Sequence, residues 1–408
     1  MKKHSKSEDE IKVDKKRNDN VCDGLTVDIF FELVKSELLA TPLDDGVAKS
    51  VTPNMMKELY MLSKKHDMTH MVAAALERHN LLGEDEISKK MRSGLYMAVW
   101  RDELKGRELQ QIYQLFEEEQ IAFIPLKGAV IRDLYPEAWM RTSCDIDILV
   151  QEDEVERAKE ALVSRLNYRA ETQCYHDIFL YSPTDVHLEL HFHIKEHMDN
   201  IDQLLERVWE YAHSVAEGSY QYQMIPEFLM FYLFAHMSYH FTHGGCGVRN
   251  FIDIWLIEKE LHYERKVTDS YCKTCGIKVF ANYARKMSDI WLGDEKHDGI
   301  TKRMQSHILE NGAYGTQTSS ITCRNTIASG RGKYLLRRIF MSRRDLCITY
   351  PRLKKYPILY LYYAVKRWMK LLDVERARRI VNEVKVQQSI TQDGIQDVKE
   401  LFDGLGLM

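Results

Sequence analysis

No run of apolar residues in this chain reaches the roughly 18–20 needed to span a bilayer. The first residues, from Met1-Lys2-Lys3-His4 onward, stay polar, so no apolar core of a secretion signal is expected. An excess of charge of one sign is also missing. Lys and Arg number 57 against 61 Asp and Glu, a net charge of −4, and this balance gives no reason to expect nucleic acid. The 8 cysteines are neither dense nor regularly spaced, which argues against a disulfide scaffold and for free thiols in a reducing cytoplasm. No internal repeat is found. What is present is ordinary for a folded chain: 45% hydrophobic and 29% charged residues exclude wholesale disorder. At 408 residues the chain exceeds the roughly 250–300 that one core can fill, so two or three packed units are expected.

Residues 1–24 are rich in Lys, Asp and Ser without apolar periodicity and read as a disordered tail. From 25 to 118 the pattern is helical. Ile29, Phe30, Leu33, Val34 and Leu38 recur at helical spacing, and Leu104, Leu109, Ile112, Leu115 and Phe116 suggest a long helix with charged outer faces. The character then changes. Ile121-Ala122-Phe123-Ile124-Pro125 reads as a short buried strand, and a helix-like run covers 129–134. A period-two strand covers 145–150, and a helix covers 152–166. Strands are expected over 177–181 and 186–194, joined by the turn residues Ser182-Pro183-Thr184-Asp185. Helix returns after Ile194. Pro226 suits a first turn, and 228–239 is apolar nearly all round, as in a central helix. Residues 311–332, with several Gly and Ser, read as a break. Residues 331–380 hold fifteen Lys/Arg against three acids. That stretch is either a solvated helical face or, because Tyr356–Trp368 is aromatic and amphipathic, a peripheral contact for polyphosphate, an anionic acceptor or a membrane surface. The fold class expected is α+β, a small mixed sheet over 119–196 flanked by helices on both sides.

Asp145 and Asp147 stand at i and i+2 of the strand, so both carboxylates point to one face while Ile146 and Ile148 point to the core. Two carboxylates that close repel, and a divalent cation held by hard oxygens removes the conflict. Three features lift the pair above a chance surface motif. Lys127-Gly128 falls on a strand-to-helix turn where free N–H groups can meet phosphate. Glu189 occupies a polar-facing position in Val186-His187-Leu188-Glu189-Leu190-His191 and can bring a third carboxylate from a neighbouring strand. Arg141 precedes the pair by four residues, within reach of phosphate oxygens. Phosphoryl and nucleotidyl transfer need such parts: metal-bridged oxygens, an anion cradle and a base near the attacking hydroxyl.

These residues carry a resemblance. Leu126-Lys127-Gly128, then Arg141-Thr142-Ser143-Cys144-Asp145-Ile146-Asp147, His176 and Val186–His191 resemble the bacterial uncharacterised nucleotidyltransferase family of the DNA polymerase β-like superfamily. The likeness continues through Pro226–Ile257, with His236, His240, Arg249 and Asp253, and through Asn311–Gly315 and Tyr350–Leu372. The resemblance implies a catalytic core over 119–196, a helical domain over 197–310 lining the cleft, and a basic helical region over 311–408. It implies an NTP donor, with its base left open, Mg²⁺ or Mn²⁺, and release of pyrophosphate. Asp145, Asp147 and Glu189 would be metal ligands and catalytic groups, with Glu189 as ligand or general base. Lys127, Gly128 and Arg141 would hold the nucleotide. His191, His236, His240 and Arg249 would line the cleft, which is expected between the sheet and the helices that follow it. The acceptor stays open among a small metabolite, a sugar phosphate, a protein and an RNA end. The chain departs from the superfamily in carrying Lys127 where glycine is usual, Glu rather than Asp as third acid, and Asn167-Tyr168 in place of Gly before an aromatic.

Other patterns read more plainly. His236, His240 and His243 lie one helical turn apart, but Met237 stands where a zinc peptidase has Glu. Cleft-lining is the expectation for them, ahead of a structural or zinc-binding role. His187, His191 and His193 alternate along a strand with Glu189. Cys272-Lys273-Thr274-Cys275 is a lone Cys-x-x-Cys and is expected to be structural, as is Cys144 beside Asp145. Two alternatives remain: a metal-dependent glycosyltransferase using Asp-x-Asp, though 25–118 lacks its alternating strands and helices, and a catalytically silent protein that binds a nucleotide or a partner.

Overall fold

The computed structural model describes residues 24–327 apart from 174, 175 and 197, and beyond them chiefly 356–369 and 390–408. The expected tail over 1–24 therefore lies, but for Gly24, outside the described residues, and so does most of the basic 331–380 stretch.

Five helices come first: α1 (Gly24–Leu38), α2 (Asp45–Ser50), α3 (Pro53–Lys65), α4 (Thr69–Arg78) and α5 (Glu86–Glu118). Local chemistry sets their starts. Asp44, Thr52 and Asp85 accept first-turn N–H groups, and Pro53 occupies the first turn of α3. Next come β1 (Phe123–Pro125), the single turn α6 (Gly128–Ile131), β2 (Asp145–Val150), α7 (Val155–Leu166), β3 (Arg169–Gln173), β4 (Asp177–Tyr181) and β5 (His187–His191).

The five strands form one mixed sheet in the order β1-β2-β5-β4-β3. β2 and β5 are parallel, and the other neighbours pair antiparallel. Alternation decides the two faces. Ile146, Ile148, Val150, Leu188 and Leu190 pack with Leu109, Ile112 and Phe116 of α5 and Leu162 of α7. Asp145, Asp147, Glu189 and His191 leave on the other face. There Leu149 belongs to the larger core of the helical body.

That body is assembled from both ends of the chain. It combines α1, α3 and α4 with the helices after the sheet: α8 (Asp199–Leu205), α9 (Pro226–Thr242), α10 (Val248–Glu260), α11 (Arg265–Thr274), α12 (Lys278–Leu292), α13 (Gly299–Asn311) and, near the C-terminus, α16 (Gln392–Gly404). Between α13 and α16 lie α14 (Gln317–Ile327) and α15 (Tyr360–Met369). α9 is central, with Phe228, Phe231, Phe234 and Phe241 fully buried. No helix among the described residues is long and apolar enough to cross a membrane.

The α+β expectation holds, with three corrections of detail. β3 is an additional strand, unmarked in sequence because Arg169, Ala170 and Glu171 are exposed on a sheet edge and show no alternation. A two-stranded hairpin, β6 (Ala212–Ser214) with β7 (Tyr222–Met224), interrupts the helices after Ile194. The expected break at 311–332 contains α14, whose many Ser and Thr suggested a loop. Their hydroxyls instead bond back along the helix, Thr322 Oγ1 to Thr318 O at 2.9 Å and Thr326 Oγ1 to Thr322 O at 3.0 Å.

Candidate active site

Strand register builds the acidic centre. Parallel pairing sets Asp145 opposite His187 and Asp147 opposite Glu189. Two overlapping donor groups result, Asp145–His187–Glu189 and Asp147–Glu189–His191, each with ligand atoms within 4.8 Å of one another. Glu189 belongs to both.

Lys127 Nζ lies 3.2 Å from Asp147 Oδ1. His191 Nε2 lies 2.9 Å from the same oxygen and 3.5 Å from Glu189 Oε2. Burial alone would raise the Asp147 carboxyl, but Lys127 and His191 outweigh it and hold the group well below the usual range. Asp145 moves the other way, raised by burial and then by the charges of Asp147 and Glu189. The Glu189 carboxyl is lowered, first by its hydrogen bond with His191. For His191, burial is opposed by bonds to Asp147 and Glu189, which raise it to about 9. Hard carboxylate oxygens crowded until one carboxyl is pushed up fit a divalent cation well.

Lys127 adopts φ 43° and ψ −115°, a conformation that costs a non-glycine residue about 1–3 kcal/mol. Gly128 follows, and a Cβ there would stand 3.3 Å from Ser143 Cβ and 3.7 Å from Arg141 Nη1. The turn therefore packs tightly on the 141–143 loop.

Arg141, expected on phosphate, is instead engaged by Asp253 of α10. Its Nε donates to both carboxylate oxygens, at 2.7 and 3.0 Å, and Nη2 donates at 2.8 Å. The Tyr135 hydroxyl donates to the same carboxylate at 2.7 Å. Arg249 Nη1 ties Thr142 O, at 2.5 Å, to Asp67 Oδ2, at 3.1 Å. Both arginines thus fix the loop that leads into β2.

A cavity of about 780 Å³ opens beside Asp145. Its walls come from α3, α4, α5, the 128–146 loop and the β4–β5 turn. Helices that precede the sheet thus border the site, where the sequence placed the cleft against those that follow. Lys64, Arg101 and Lys105 line this cavity and make no carboxylate ion pair among the described residues. Lys105 Nζ donates to Ser143 O and, at 3.0 Å, to Ser143 Oγ. Burial lowers its ammonium to about 8. Trp100 and Trp139 also face the cavity. Sequence reasoning missed Lys105 because it looked like one more charge on the outer face of a long helix.

Across the acidic centre stands α9. His236 Nδ1 lies 2.8 Å from Glu196 Oε1, and the His236 and His240 rings meet edge to face at 4.3 Å. Nothing in the sequence marked Glu196, which follows β5 in the loop before α8. The set His236, His240 and His243 does not converge on a metal: among the described residues the two groups that could hold one are those at the acidic centre. His176 stacks on His191 at 6.3 Å. Cys272 and Cys275 are buried free thiols, raised by burial to about 12 and about 11.

No curated protein and no solved structure matches the chain. One family model does, over residues 52–293, which is more than half of the sequence and runs from α3 through α12. That span holds the acidic centre, the cavity walls and the histidine face of α9, and the chain belongs to the family described as uncharacterised nucleotidyltransferase.

Proposed function

We propose that this protein transfers a nucleoside monophosphate from an NTP to a hydroxyl acceptor and releases pyrophosphate, with Mg²⁺ or Mn²⁺. The observation that carries this reading is the parallel register of Asp147 with Glu189, which brings a third carboxylate to the Asp145–Asp147 pair. Membership of a nucleotidyltransferase family supports it, and so does the placement of the three acids on the adjacent strands β2 and β5. Asp145, Asp147 and Glu189 would hold the metal. When bound, the cation neutralises charge that builds on the phosphoryl oxygens during displacement. The chain's own residues do the rest. Lys105, Arg101 and Lys64 receive the triphosphate in the cavity, and Trp100 or Trp139 offers a ring face to the base. Lys127 balances Asp147 until the cation arrives, while Arg141 and Arg249 keep the loop before β2 in place.

The test is pyrophosphate release and label transfer from each α-labelled NTP, titrated with Mg²⁺ and Mn²⁺. The wild type is run beside Asp145→Asn/Asp147→Asn. Metal-dependent transfer that the double variant loses is expected, with the single Asp145→Asn variant, whose melting temperature stays nearly unchanged, losing it too. Full activity in the double variant would sink the proposal, and turnover of sugar nucleotides alone would favour glycosyl transfer.

A further inference from the structure

α9 is buried along nearly its whole length, with one window. From Phe228 to His243 the side chains that reach the surface are His236, Tyr239, His240 and His243. Their rings pack together, His236 on His240 at 4.3 Å, Tyr239 on His240 at 5.4 Å and Tyr239 on His243 at 4.1 Å. Beneath the window lies Glu196, 5% exposed. Burying a carboxylate there costs several kcal/mol unless it is charge-paired. Its partner is His236 Nδ1, which leaves Nε2 as the ring's acceptor nitrogen on a side chain 22% exposed.

This pair adjoins the acidic centre. Lys127, in contact with Asp147, also feels the charge of Glu196 and the phenol of Tyr232. Tyr232 lies one turn before His236 on α9, ring to ring at 6.3 Å. The placement suits in-line displacement, in which the attacking and leaving oxygens sit on opposite sides of phosphorus. The cationic cavity lies on the Asp145 side, and the histidine window lies on the Asp147–Lys127 side. Glu189 belongs to both donor groups and is assigned to the cation, which leaves the acceptor to a separate base.

We infer that Glu196 and His236 form a general-base pair, oriented like the acid–histidine pair of a hydrolase, that activates the acceptor hydroxyl above α9. The inference rests on the nucleotidyl-transfer reading. In the step, the acceptor O–H proton passes to His236 Nε2 while the oxygen forms a bond to the α-phosphorus. The bond from that phosphorus to the β-bridging oxygen breaks, and pyrophosphate departs with the electron pair. His236 then gives its proton to solvent, and Glu196 keeps the ring in the productive tautomer throughout. The acceptor class is an alcohol without strong acidity, since an already ionised nucleophile needs no base.

The experiment uses the full chain with Mn²⁺, each α-labelled NTP, and glycerol as the hydroxyl probe. Wild type, His236→Gly and Glu196→Gln are compared for label transferred to glycerol and for NTP binding by calorimetry. A loss of about 10²–10⁴-fold in kcat is expected for His236→Gly, with NTP affinity unchanged and activity restored by added imidazole. Glu196→Gln should lower kcat in the same direction by a smaller factor. Wild-type turnover in His236→Gly would overturn the inference and leave nucleotidyl transfer standing. A loss that imidazole does not restore, with NTP binding also lost, would assign His236 a structural role and overturn it too. Wild-type protein that releases no pyrophosphate from any NTP, with glycerol or with a whole-cell extract as the source of acceptor, would remove both readings together.

Discussion

Lys127 shows how one residue can hold two costs at once. Its backbone occupies a region that favours glycine, and its half-buried ammonium is paired with the buried Asp147. Burial works against the ammonium, yet Asp147 keeps it protonated, with its pKa well above the ordinary lysine value. The side chain is therefore the reason for tolerating the backbone. The two costs can be separated by truncation. Lys127→Ala and Lys127→Gly both lose the ion pair and the stem, but only alanine keeps a Cβ at φ 43°. The glycine variant is expected to be more stable than the alanine variant by about 1–2 kcal/mol, the reverse of their usual order. Urea midpoints for the two proteins check this, and alanine the more stable of the two would show that the turn relaxes. At the same scale, sequence reasoning saw Asp145, Asp147 and Glu189 because alternation in a strand assigns a face to each residue. It did not see Lys105, whose value comes from the loop it meets, Ser143, and not from its own helix.

Elements are tied together at the site by a buried charge pair. Arg141 joins the loop before β2 to Asp253 in the middle of α10, with Tyr135 as a third partner. Arg141 is 9% exposed and Asp253 1%. Removing one member strands the other charge in a poorly solvating environment, at a cost of about 3–5 kcal/mol. Asp253→Asn is therefore expected to lower the melting temperature sharply, whereas Asp145→Asn, beside the open cavity, leaves it nearly unchanged. Paired thermal melts decide it, and equal behaviour of the two variants would contradict this division between strut and site. The same contrast explains what the sequence made legible. β2 and β5 announce themselves because each buries one face, and α9 because it is apolar all round. β3, the β6–β7 hairpin and α14 owe their form to neighbours: an edge to pair with, a turn to close, and α16 to pack against. No local pattern encodes those. Arg141 and Asp253 are both visible as residues, but 112 positions apart nothing in the sequence pairs them, and the motif alone points the guanidinium at phosphate.

The helical body as a whole depends on histidines that must stay neutral. His307 of α13 lies between Phe241 of α9 and Phe402 of α16, at 4.9 and 6.3 Å, with Nε2 buried and without a hydrogen-bond partner among the described residues. His66, at the end of α3, is fully buried near Phe30 of α1. Burial lowers each to about 4. An unfolded histidine takes up its proton near pH 6.5, so between that pH and 4 the unfolded chain binds protons that the folded one refuses. The contribution of these two histidines is then complete above pH 6.5 and falls as the solution is acidified, by roughly 2 kcal/mol per histidine at pH 5, while His191, raised to about 9, works in the opposite sense only above pH 6.5. Most carboxylates stay ionised in that window and add little to the slope. Because α1, α3, α9, α13 and α16 share one core, acid should open the body cooperatively and not fray one end. Denaturant unfolding at pH 7.5, 6 and 5 is expected to show this decline, and His307→Phe, which keeps an aromatic ring between Phe241 and Phe402, should remove its own share, roughly 2 kcal/mol at pH 5, while His66, His70 and His240 keep theirs. A variant whose slope matched the wild type would mean that His307 finds a proton-accepting partner in the fold and that the acid sensitivity lies elsewhere.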